Sequence, residues 1–177
     1  MKQFRLNTSN QGKFKEFERL FAAFGISLEA THIDLKEIAA DPLSVIVHKA
    51  SVAGERVIVD DTSLDVEGEA VGVYVRSMLD ELPRFIGKRV HWRVLLAYRE
   101  ENQVFVFAGE LAGVVVSRRG SSGFGFDPYF LPEGEELTLA ESKPDSLNAR
   151  AMAVKALMQG KPFKVLPANT SWDGSWQ

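Results

Sequence analysis

Two adjacent carboxylates, Asp60 and Asp61, directly follow the apolar run Val57-Ile58-Val59 and precede two hydroxyl residues. Three β-branched apolar residues in a row predict a buried strand, with the acidic pair at its end. Ionised carboxylates side by side repel each other, and burying either one is costly unless a partner compensates. Mg²⁺ provides such compensation, since it binds one or two carboxylates together with substrate phosphates. A solvated turn, where Asp is common, explains this stretch equally well when it is taken alone.

A polar loop that suits a phosphate group precedes the first predicted helix. It consists of Thr8, Ser9, Asn10, Gln11, Gly12 and Lys13, and it follows a short predicted strand over residues 4–7. Helical spacing of apolar residues predicts a helix after the loop, and Gly25 suits its C-terminal cap. Backbone N–H groups and the positive end of a helix favour an anion at this position. The loop lacks the Walker A spacing, and the same residues also suit a plain helix cap.

Charged residues also surround the second predicted helix. Asp41-Pro42 is a helix-start signal, and the helix is predicted to end near Ala53 or Gly54. Glu37 precedes this helix and could lie near its N-terminus. Lys49 lies on the helix after three apolar residues, a context typical of a surface lysine whose aliphatic stem is buried.

A segment rich in Gly and Phe, residues 123–130, contains Phe124, Gly125, Phe126 and Asp127. Flat apolar rings on a closely approachable backbone can stack on a nucleobase. A tight turn with core Phe side chains is the alternative. Arg118 and Arg119, just upstream, could meet phosphate oxygens or could end an exposed strand.

Basic residues flank the start of the last predicted helix, residues 148–158. Lys143 and Arg150 lie on either side of Asn148, with Asp145 or Ser146 expected near the cap. Positive charge at a helix N-terminus opposes the helix dipole, so its presence there suggests a nearby anion.

The length and the amino-acid composition are typical of a globular protein, and we expect a single domain over residues 1–177. A net charge of −3 argues against a nucleic-acid partner, and the absence of Cys excludes disulfides and thiolate metal sites. Because no apolar run approaches the length of a membrane span and no signal segment is evident, we expect a cytoplasmic protein without a membrane partner.

Helices and strands alternate in the first half of the chain. Residues 26–33 and 57–60 read as strands, and residues 74–82 read as a helix. Residues 91–98 and 103–116 read as two further strands that pair antiparallel through a turn at 99–102. We therefore expect the α/β class, with a mixed central sheet flanked by helices.

These motifs together resemble those of the inosine triphosphate pyrophosphatase family, and the resemblance extends to about residue 158. The matching features keep the family's order and spacing. They are Thr8 and Lys13 with Glu16-Phe17, Glu37 twelve positions before Lys49, Asp60-Asp61-Thr62-Ser63-Leu64, Gly123-Phe124-Gly125-Phe126-Asp127-Pro128, and Lys143 before the last helix.

The resemblance implies an elongated α/β fold with a cleft between two lobes, Mg²⁺ dependence and a homodimer. It implies hydrolysis of a non-canonical purine nucleoside triphosphate (ITP, dITP or XTP) to the monophosphate and pyrophosphate, a house-cleaning reaction of the nucleotide pool. Carried over by motif, the 8–13 loop and Lys49 would bind phosphates, with Thr62 beside them. Glu37 and Asp61 would bind the metal, and Asp61 would also act as base, supported by Asp60 and Lys13.

The base would lie against Phe124 and Phe126, with Gly125 between them, and Asp127, Lys143 and Arg150 would help define it. One departure concerns the family's Ser-His-Arg at the start of the last helix, where this chain has Asn148-Ala149-Arg150. The His that grips the purine carbonyl edge is replaced by Ala149. Two alternatives therefore stand beside the main hypothesis, namely a pyrophosphatase with broader or different specificity and a nucleotide-binding module without catalysis.

Overall fold

The strands of the chain form one mixed sheet in the computed structural model, which describes residues 2–69 and 79–177. The sheet has the order β2-β1-β3-β4-β5-β6, and β7 pairs with the other end of β5. The strands are β1 Lys2–Asn7, β2 Ile26–Thr31, β3 Val57–Val66, β4 Arg89–Glu100, β5 Gln103–Val115, β6 Phe130–Pro132 and β7 Lys164–Pro167.

Parallel and antiparallel pairing divide the sheet. β1 lies between β2 and β3 and is parallel to both, whereas β3, β4 and β5 are antiparallel neighbours. Residues 101 and 102 turn the chain between β4 and β5, and Glu101 has a positive φ of 56° in that turn. The mixed α/β sheet predicted from the sequence, including this hairpin, is confirmed.

Helices cover both faces of the sheet. The three α-helices are α1 Gln11–Ala22, α2 Pro42–Ala53 and α3 Ala149–Met158. Alternate residues of β3 point to opposite faces, so that Val57 and Val59 pack in the core under α2, whereas Ile58 and Leu64 pack in the core under α1 and α3. None of the helices in the described parts of the chain is long and apolar enough to cross a membrane.

Several predicted boundaries agree with the structure. Asp41 caps α2 by accepting a hydrogen bond from the backbone N–H of Ser44 at 3.0 Å, Pro42 occupies the first turn, and Gly54 follows the helix. Both ends of α2 therefore follow the local signals that the sequence contains. Gly25, predicted as the cap of the first helix, lies two residues beyond the C-cap Ala23 of α1, in the turn before β2, with a positive φ of 73°.

Three boundaries were predicted incorrectly or only in part. β3 does not end at Asp60 but continues to Val66, because Asp60 to Val66 pair with residues 90–96 of β4. The cap of α3 is Asn148, since Asp145 and Ser146 belong to a separate 3₁₀ turn. The helix predicted over 74–82 lies partly outside the described residues, and Leu79–Phe85 forms a 3₁₀ helix with Pro83 inside it.

Candidate active site

A cleft of about 710 Å³ opens where β1 and β3 diverge. β1 ends at Asn7, opposite Val59, while β3 continues through Asp60 and Asp61, which have no strand partner on that side among the described residues. The carboxyl edge of parallel strands is the place where α/β proteins bind ligands. Of the residues predicted for the site, those lining the cleft are Thr8, Ser9, Asn10, Lys13, Glu37, Lys49, Asp60, Asp61, Thr62, Phe124, Gly125, Phe126, Asp127 and Arg150.

The two adjacent carboxylates of β3 face different helices, because neighbouring side chains of a strand point to opposite faces. Asp60 forms an ion pair with Lys13 of α1, with 3.0 Å between Nζ and Oδ2. Asp61 faces α2, where its Oδ1 lies 3.9 Å from Nζ of Lys49. Both carboxylates are buried, so the interpretation of this stretch as a solvated turn is wrong.

Lys49 is held inside the site rather than at the surface of α2. Its Nζ donates to Oε1 of Glu37 at 3.0 Å and to the backbone carbonyl of Asp60 at 2.7 Å. Only 12% of its side chain is exposed. The prediction of a surface lysine with a buried aliphatic stem is therefore wrong. It failed because the acidic partners of Lys49 come from other parts of the chain.

The electrostatics of the two carboxylates differ. Burial raises the pKa of Asp61 to about 7, and Glu37 and Asp60 add to the increase, while Lys49 opposes it. Burial would also raise the pKa of Asp60, but Lys13 and Lys49 outweigh it and hold that pKa below its usual value. Asp60 therefore stays ionised at neutral pH. The pKa of Asp61 lies near neutral pH, as suits a general base.

Asp61 also carries a buried oxygen, Oδ2, that accepts no hydrogen bond from any residue the structure describes. Oγ1 of Thr62 is also buried and has no hydrogen-bond partner among the described residues. A buried carboxylate oxygen without a donor is a costly arrangement unless a cation or a ligand compensates. The described residues contain no cluster of three or more metal-binding side chains, so Glu37 and Asp61 would have to share a cation with phosphates and water. That donor set suits Mg²⁺.

The polar loop before α1 is both a helix cap and a cleft wall. Asn10 caps α1 by accepting a hydrogen bond from the N–H of Lys13 at 3.0 Å, and Thr8 Oγ1 accepts one from the N–H of Asn10 at 3.2 Å. The first turn of α1 contains no acidic residue. The positive end of the helix dipole therefore faces the cleft uncompensated, as an anion-binding site requires.

Phe124 also lines the cleft, and its ring lies against the start of α1 at Gly12. Its backbone N–H donates to Oδ2 of Asp127 at 3.0 Å, and the same oxygen accepts a 3.1 Å hydrogen bond from Nζ of Lys143. The cationic groups of Lys143 and Arg150 each lie 4.9 Å from the centroid of the Phe124 ring. Asp127 thus fixes the turn that presents this ring, and two cations lie against it.

Phe126 belongs to the core rather than to an open stacking surface. It is 5% exposed, and its ring packs edge-on against Trp92, with 5.4 Å between centroids, and against Phe130. Of the two aromatic residues predicted to face a base, Phe124 is the partly exposed one. Both rings line the cleft, as the prediction that they face a base requires, but Phe126 is largely a core residue that supports Phe124.

A buried acid, Glu16, organises the basic residues and had no predicted role. Its carboxylate accepts hydrogen bonds from Asn148 Nδ2 and from Arg150 Nη1, the latter at 3.2 Å, and Lys143 also lies 3.3 Å away. Arg150 is 2% exposed. Glu16 follows Lys13 by three residues on α1, so its spacing on the helix could have indicated this position.

The remaining predicted residues, Gln11, Gly12 and Lys143, are not among the described residues that line the cleft. Gln11 and Gly12 form the start of α1, and a Cβ on Gly12 would meet the Phe124 ring at 3.2 Å. Ala149 is fully buried, and its carbonyl oxygen would lie only 1.9 Å from a Cβ added to Gly109 of β5. The start of α3 is therefore packed directly against the backbone of the sheet.

Other lining residues were missed by the sequence analysis. They come from the ends of β1 and β2, the segment before α2, the 3₁₀ helix and the C-terminal segment, namely Asn7, His32, Ile33, Asp34, Leu35, Leu79 and Gln177. Asn7 could have been predicted from the sequence, because a polar residue at the end of a predicted strand is a candidate for a ligand site. The position of Gln177 depends on long-range contacts that a local pattern does not reveal.

Comparisons with known proteins agree with this geometry. A model of the Ham1 family matches residues 4–160. The chain is 33% identical over 172 residues to a dITP/XTP pyrophosphatase of Pyrobaculum aerophilum, covering 88% of this chain and 92% of that protein. It is 30% identical over 181 residues to an inosine triphosphate pyrophosphatase of Yarrowia lipolytica, covering 93% and 96%.

A solved structure also shares the fold. The nucleoside-triphosphatase, or dITP/XTP pyrophosphatase, of Mycobacterium abscessus superposes with a TM-score of 0.53 at 19% sequence identity. The superposition covers 90% of this chain and 95% of that chain. At this identity the likeness supports the fold alone.

Proposed function

Because the chain belongs to the Ham1 family, we propose that it is a nucleoside triphosphate pyrophosphatase that hydrolyses non-canonical purine nucleotides such as dITP, ITP and XTP. The products would be the nucleoside monophosphate and pyrophosphate. The activities for which these relatives are named support the substrate class. We further propose a single-domain, cytoplasmic, Mg²⁺-dependent homodimer, for which the mass in solution is the direct test of the dimer.

The observation that carries the proposal is the Oδ2 of Asp61, which has no hydrogen-bond partner among the described residues, in a cleft that is also lined by two lysines and by Phe124. Lys13 and Lys49 lie at the end with the carboxylates, and Lys143 lies beside Phe124. A triphosphate extended along this cleft would have its phosphates near the carboxylates and its base near Phe124. A nucleotide requires charged groups for its phosphates and an apolar ring for its base, and the cleft has both.

Glu37 and Asp61 are the residues that would hold the divalent cation. When bound, the cation would neutralise phosphate charge and make a bound water easier to deprotonate. Asp61 would take the proton of the attacking water at Oδ2, the buried oxygen that accepts no hydrogen bond from any described residue. Asp60 would keep Lys13 oriented toward the phosphates through their 3.0 Å ion pair.

Phe124 would stack on the base, and Lys143 and Arg150 would donate to the acceptor edge of the base. Asp127 and Glu16 already hold those cations by hydrogen bonds, so their positions are set before substrate binds. Pre-positioned groups lower the entropy lost on binding. The polar loop from Thr8 to Lys13 would contact the phosphates with its backbone N–H groups.

A substrate panel tests the proposal. Inosine, xanthosine, guanosine, adenosine and pyrimidine triphosphates would be compared, with pyrophosphate and orthophosphate measured separately. We expect Mg²⁺-dependent release of pyrophosphate, and a loss of about 10²–10⁴-fold in kcat for Asp61→Asn. Wild-type rates in that variant would contradict the role of Asp61, and nucleotide binding without pyrophosphate release would indicate a binding module.

The buried Ala149 favours a second candidate, a pyrophosphatase of broader specificity. No imidazole occupies this position, and a site that lacks one hydrogen-bonding group discriminates less between bases. The same panel decides between the two. A preference of about hundredfold for inosine or xanthosine triphosphate over guanosine triphosphate would exclude the broader enzyme.

A further inference from the structure

The C-terminal segment from Asn169 to Gln177 runs along the edge of the candidate site and pairs with the segment that carries Glu37. The backbone N–H of Ala39 donates to the carbonyl of Ser175 at 2.9 Å, and that of Gln177 donates to the carbonyl of Glu37 at 2.9 Å. Ile38 and Trp176 form an antiparallel bridge between these two contacts. The backbone of residues 37–39 is therefore held in place by pairing with the C-terminal segment.

Glu37 lies in a stretch between β2 and α2 that belongs to neither element. A side chain in such a stretch needs other contacts to be held in one place, because its backbone lacks a helix or strand ladder. The segment 169–177 supplies them from a distance of about 140 residues in sequence. The carboxamide of Gln177 adds a 2.9 Å hydrogen bond from Nε2 to the carbonyl of Ile38.

The segment is in turn fixed to α2 and to itself. The backbone N–H of Asn169 donates to Oγ of Ser51 at 2.8 Å, and the ring of Trp176 packs edge-on against His48 with 5.6 Å between centroids. Nε1 of Trp172 donates to the carbonyl of Ser175 at 2.8 Å, and a Cβ on Gly174 would lie 2.6 Å from the Trp172 ring. α2 also carries Lys49, the ion-pair partner of Glu37.

We propose that residues 169–177 position Glu37 for cation binding, and that Trp176 is the positioning residue that anchors them to α2. The segment lies outside residues 4–160, which the family model matches, so this device is additional to the features that define the family. The inference rests on the proposed function of Glu37. Trp176 acts through the backbone of residues 37–39 and does not itself contact the cation.

Two variants disturb the segment in independent ways. Trp176→Ala removes the ring that packs on His48, and Gly174→Ala places a methyl group against the Trp172 ring. Trp176→Phe keeps an aromatic ring and is the conservative variant. Phe163→Ala removes a more exposed ring of the same C-terminal region and is the matched control.

Hydrogen exchange at the Ala39 amide and calorimetric Mn²⁺ binding to the protein without nucleotide are the two readouts. In Trp176→Ala and Gly174→Ala we expect faster exchange at Ala39 and an Mn²⁺ dissociation constant raised about tenfold, the usual effect of losing an outer support of a metal ligand. Trp176→Phe should retain most of both properties, and Phe163→Ala should retain all of them. Circular dichroism and Tm establish that each variant is folded.

A double-variant comparison identifies the route of the effect. If Trp176 acts through Glu37, Trp176→Ala should change Mn²⁺ affinity little when Glu37→Gln is already present. Additive losses, unchanged exchange at Ala39, or unchanged Mn²⁺ affinity in Trp176→Ala would each overturn the proposal. Because Mn²⁺ binding is measured without substrate, a wild-type protein that binds Mn²⁺ but releases no pyrophosphate would refute the proposed function and leave this inference standing.

Discussion

Lys13 Nζ and Asp60 Oδ2 lie 3.0 Å apart, and this ion pair gives two neighbouring carboxylates different properties. Asp60 has a cation in direct contact, whereas Asp61 has Lys49 at 3.9 Å and one oxygen without a donor among the described residues. The pair therefore consists of one compensated and one incompletely compensated carboxylate.

Asp61 should lower the stability of the metal-free protein as the pH rises. Its pKa is about 7 in the folded chain against 3.8 ordinarily, so between about pH 4 and pH 7 the folded chain retains a proton that the unfolded chain has released. Stability from this group is present below pH 4 and is lost by pH 7. Asp61→Asn removes that dependence and should raise Tm by several degrees at pH 8 in the presence of a chelator.

The measurement is thermal unfolding of wild type and Asp61→Asn in EDTA at pH 4.5 and pH 8. The Tm difference should be larger at pH 8. Adding Mg²⁺ or Mn²⁺ should raise Tm of the wild type more than that of the variant, because ligands that bind only the folded state stabilise it. An equal Tm difference at both pH values would contradict the raised pKa.

Lys49→Met should destabilise the protein, because Glu37, Asp60 and Asp61 would lose a shared cation. Burial opposes the charge of Lys49, but these three acids outweigh it and raise its pKa. Removing one partner of a buried ion pair costs about 3–5 kcal/mol, and the partial exposure of Glu37 reduces the expected loss to about 2 kcal/mol.

Urea unfolding at pH 8 measures this loss. Lys155→Met is the control, since Lys155 is an exposed residue of α3 and should change the free energy of unfolding little. A loss for Lys49→Met no greater than that of the control would show that the acids are compensated in another way.

Phe124→Ala should weaken nucleotide binding and leave the phosphate end of the cleft intact. Stacking of one base on an aromatic ring contributes about 1–3 kcal/mol, which corresponds to a rise of about 5–150-fold in KM. Phe124→Trp should retain binding. KM and kcat for dITP and Kd for pyrophosphate distinguish the two ends, since the pyrophosphate value should stay constant for Phe124→Ala.

Gly109→Ala should displace α3. The added Cβ would lie 1.9 Å from the carbonyl oxygen of Ala149 and 2.8 Å from the N of Ala153, and neither backbone atom can move without the helix. We expect a loss of about 1–3 kcal/mol from overpacking, together with weaker base binding because Arg150 moves with α3. Unfolding by urea measures the first effect, and the base panel measures the second. Wild-type stability would show that the helix can shift without cost.

Local signals in the sequence were sufficient for some elements and insufficient for others. Asp41-Pro42 and Gly54 define α2 because capping depends on neighbouring residues. The end of β3 was predicted too early, since two adjacent acids seldom continue a buried strand without partners. Those partners, Lys13 and Lys49, come from two different helices, and only the folded chain brings them to opposite faces of β3.

Contacts between residues distant in sequence also limited the prediction of the site. The motif residues around Asp60, Phe124 and Thr8 converge on one cleft, as the resemblance to a known family implied. The sequence did not indicate which Phe is exposed, because Phe124 and Phe126 differ only by their position in a turn. The contribution of Gln177 depends on pairing across most of the chain, which has no local signature.

The continuation of β3 through the cleft also determines which parts of the site can move. Asp60, Asp61 and Thr62 are paired with residues 94–96 of β4, in the middle of the sheet. Backbone amides in such a ladder open only rarely, whereas loops at the rim open at low cost. Among the described residues, closure around a substrate would therefore involve segments at the rim such as the 8–13 loop and the Phe124 turn, which would approach a stationary acidic pair.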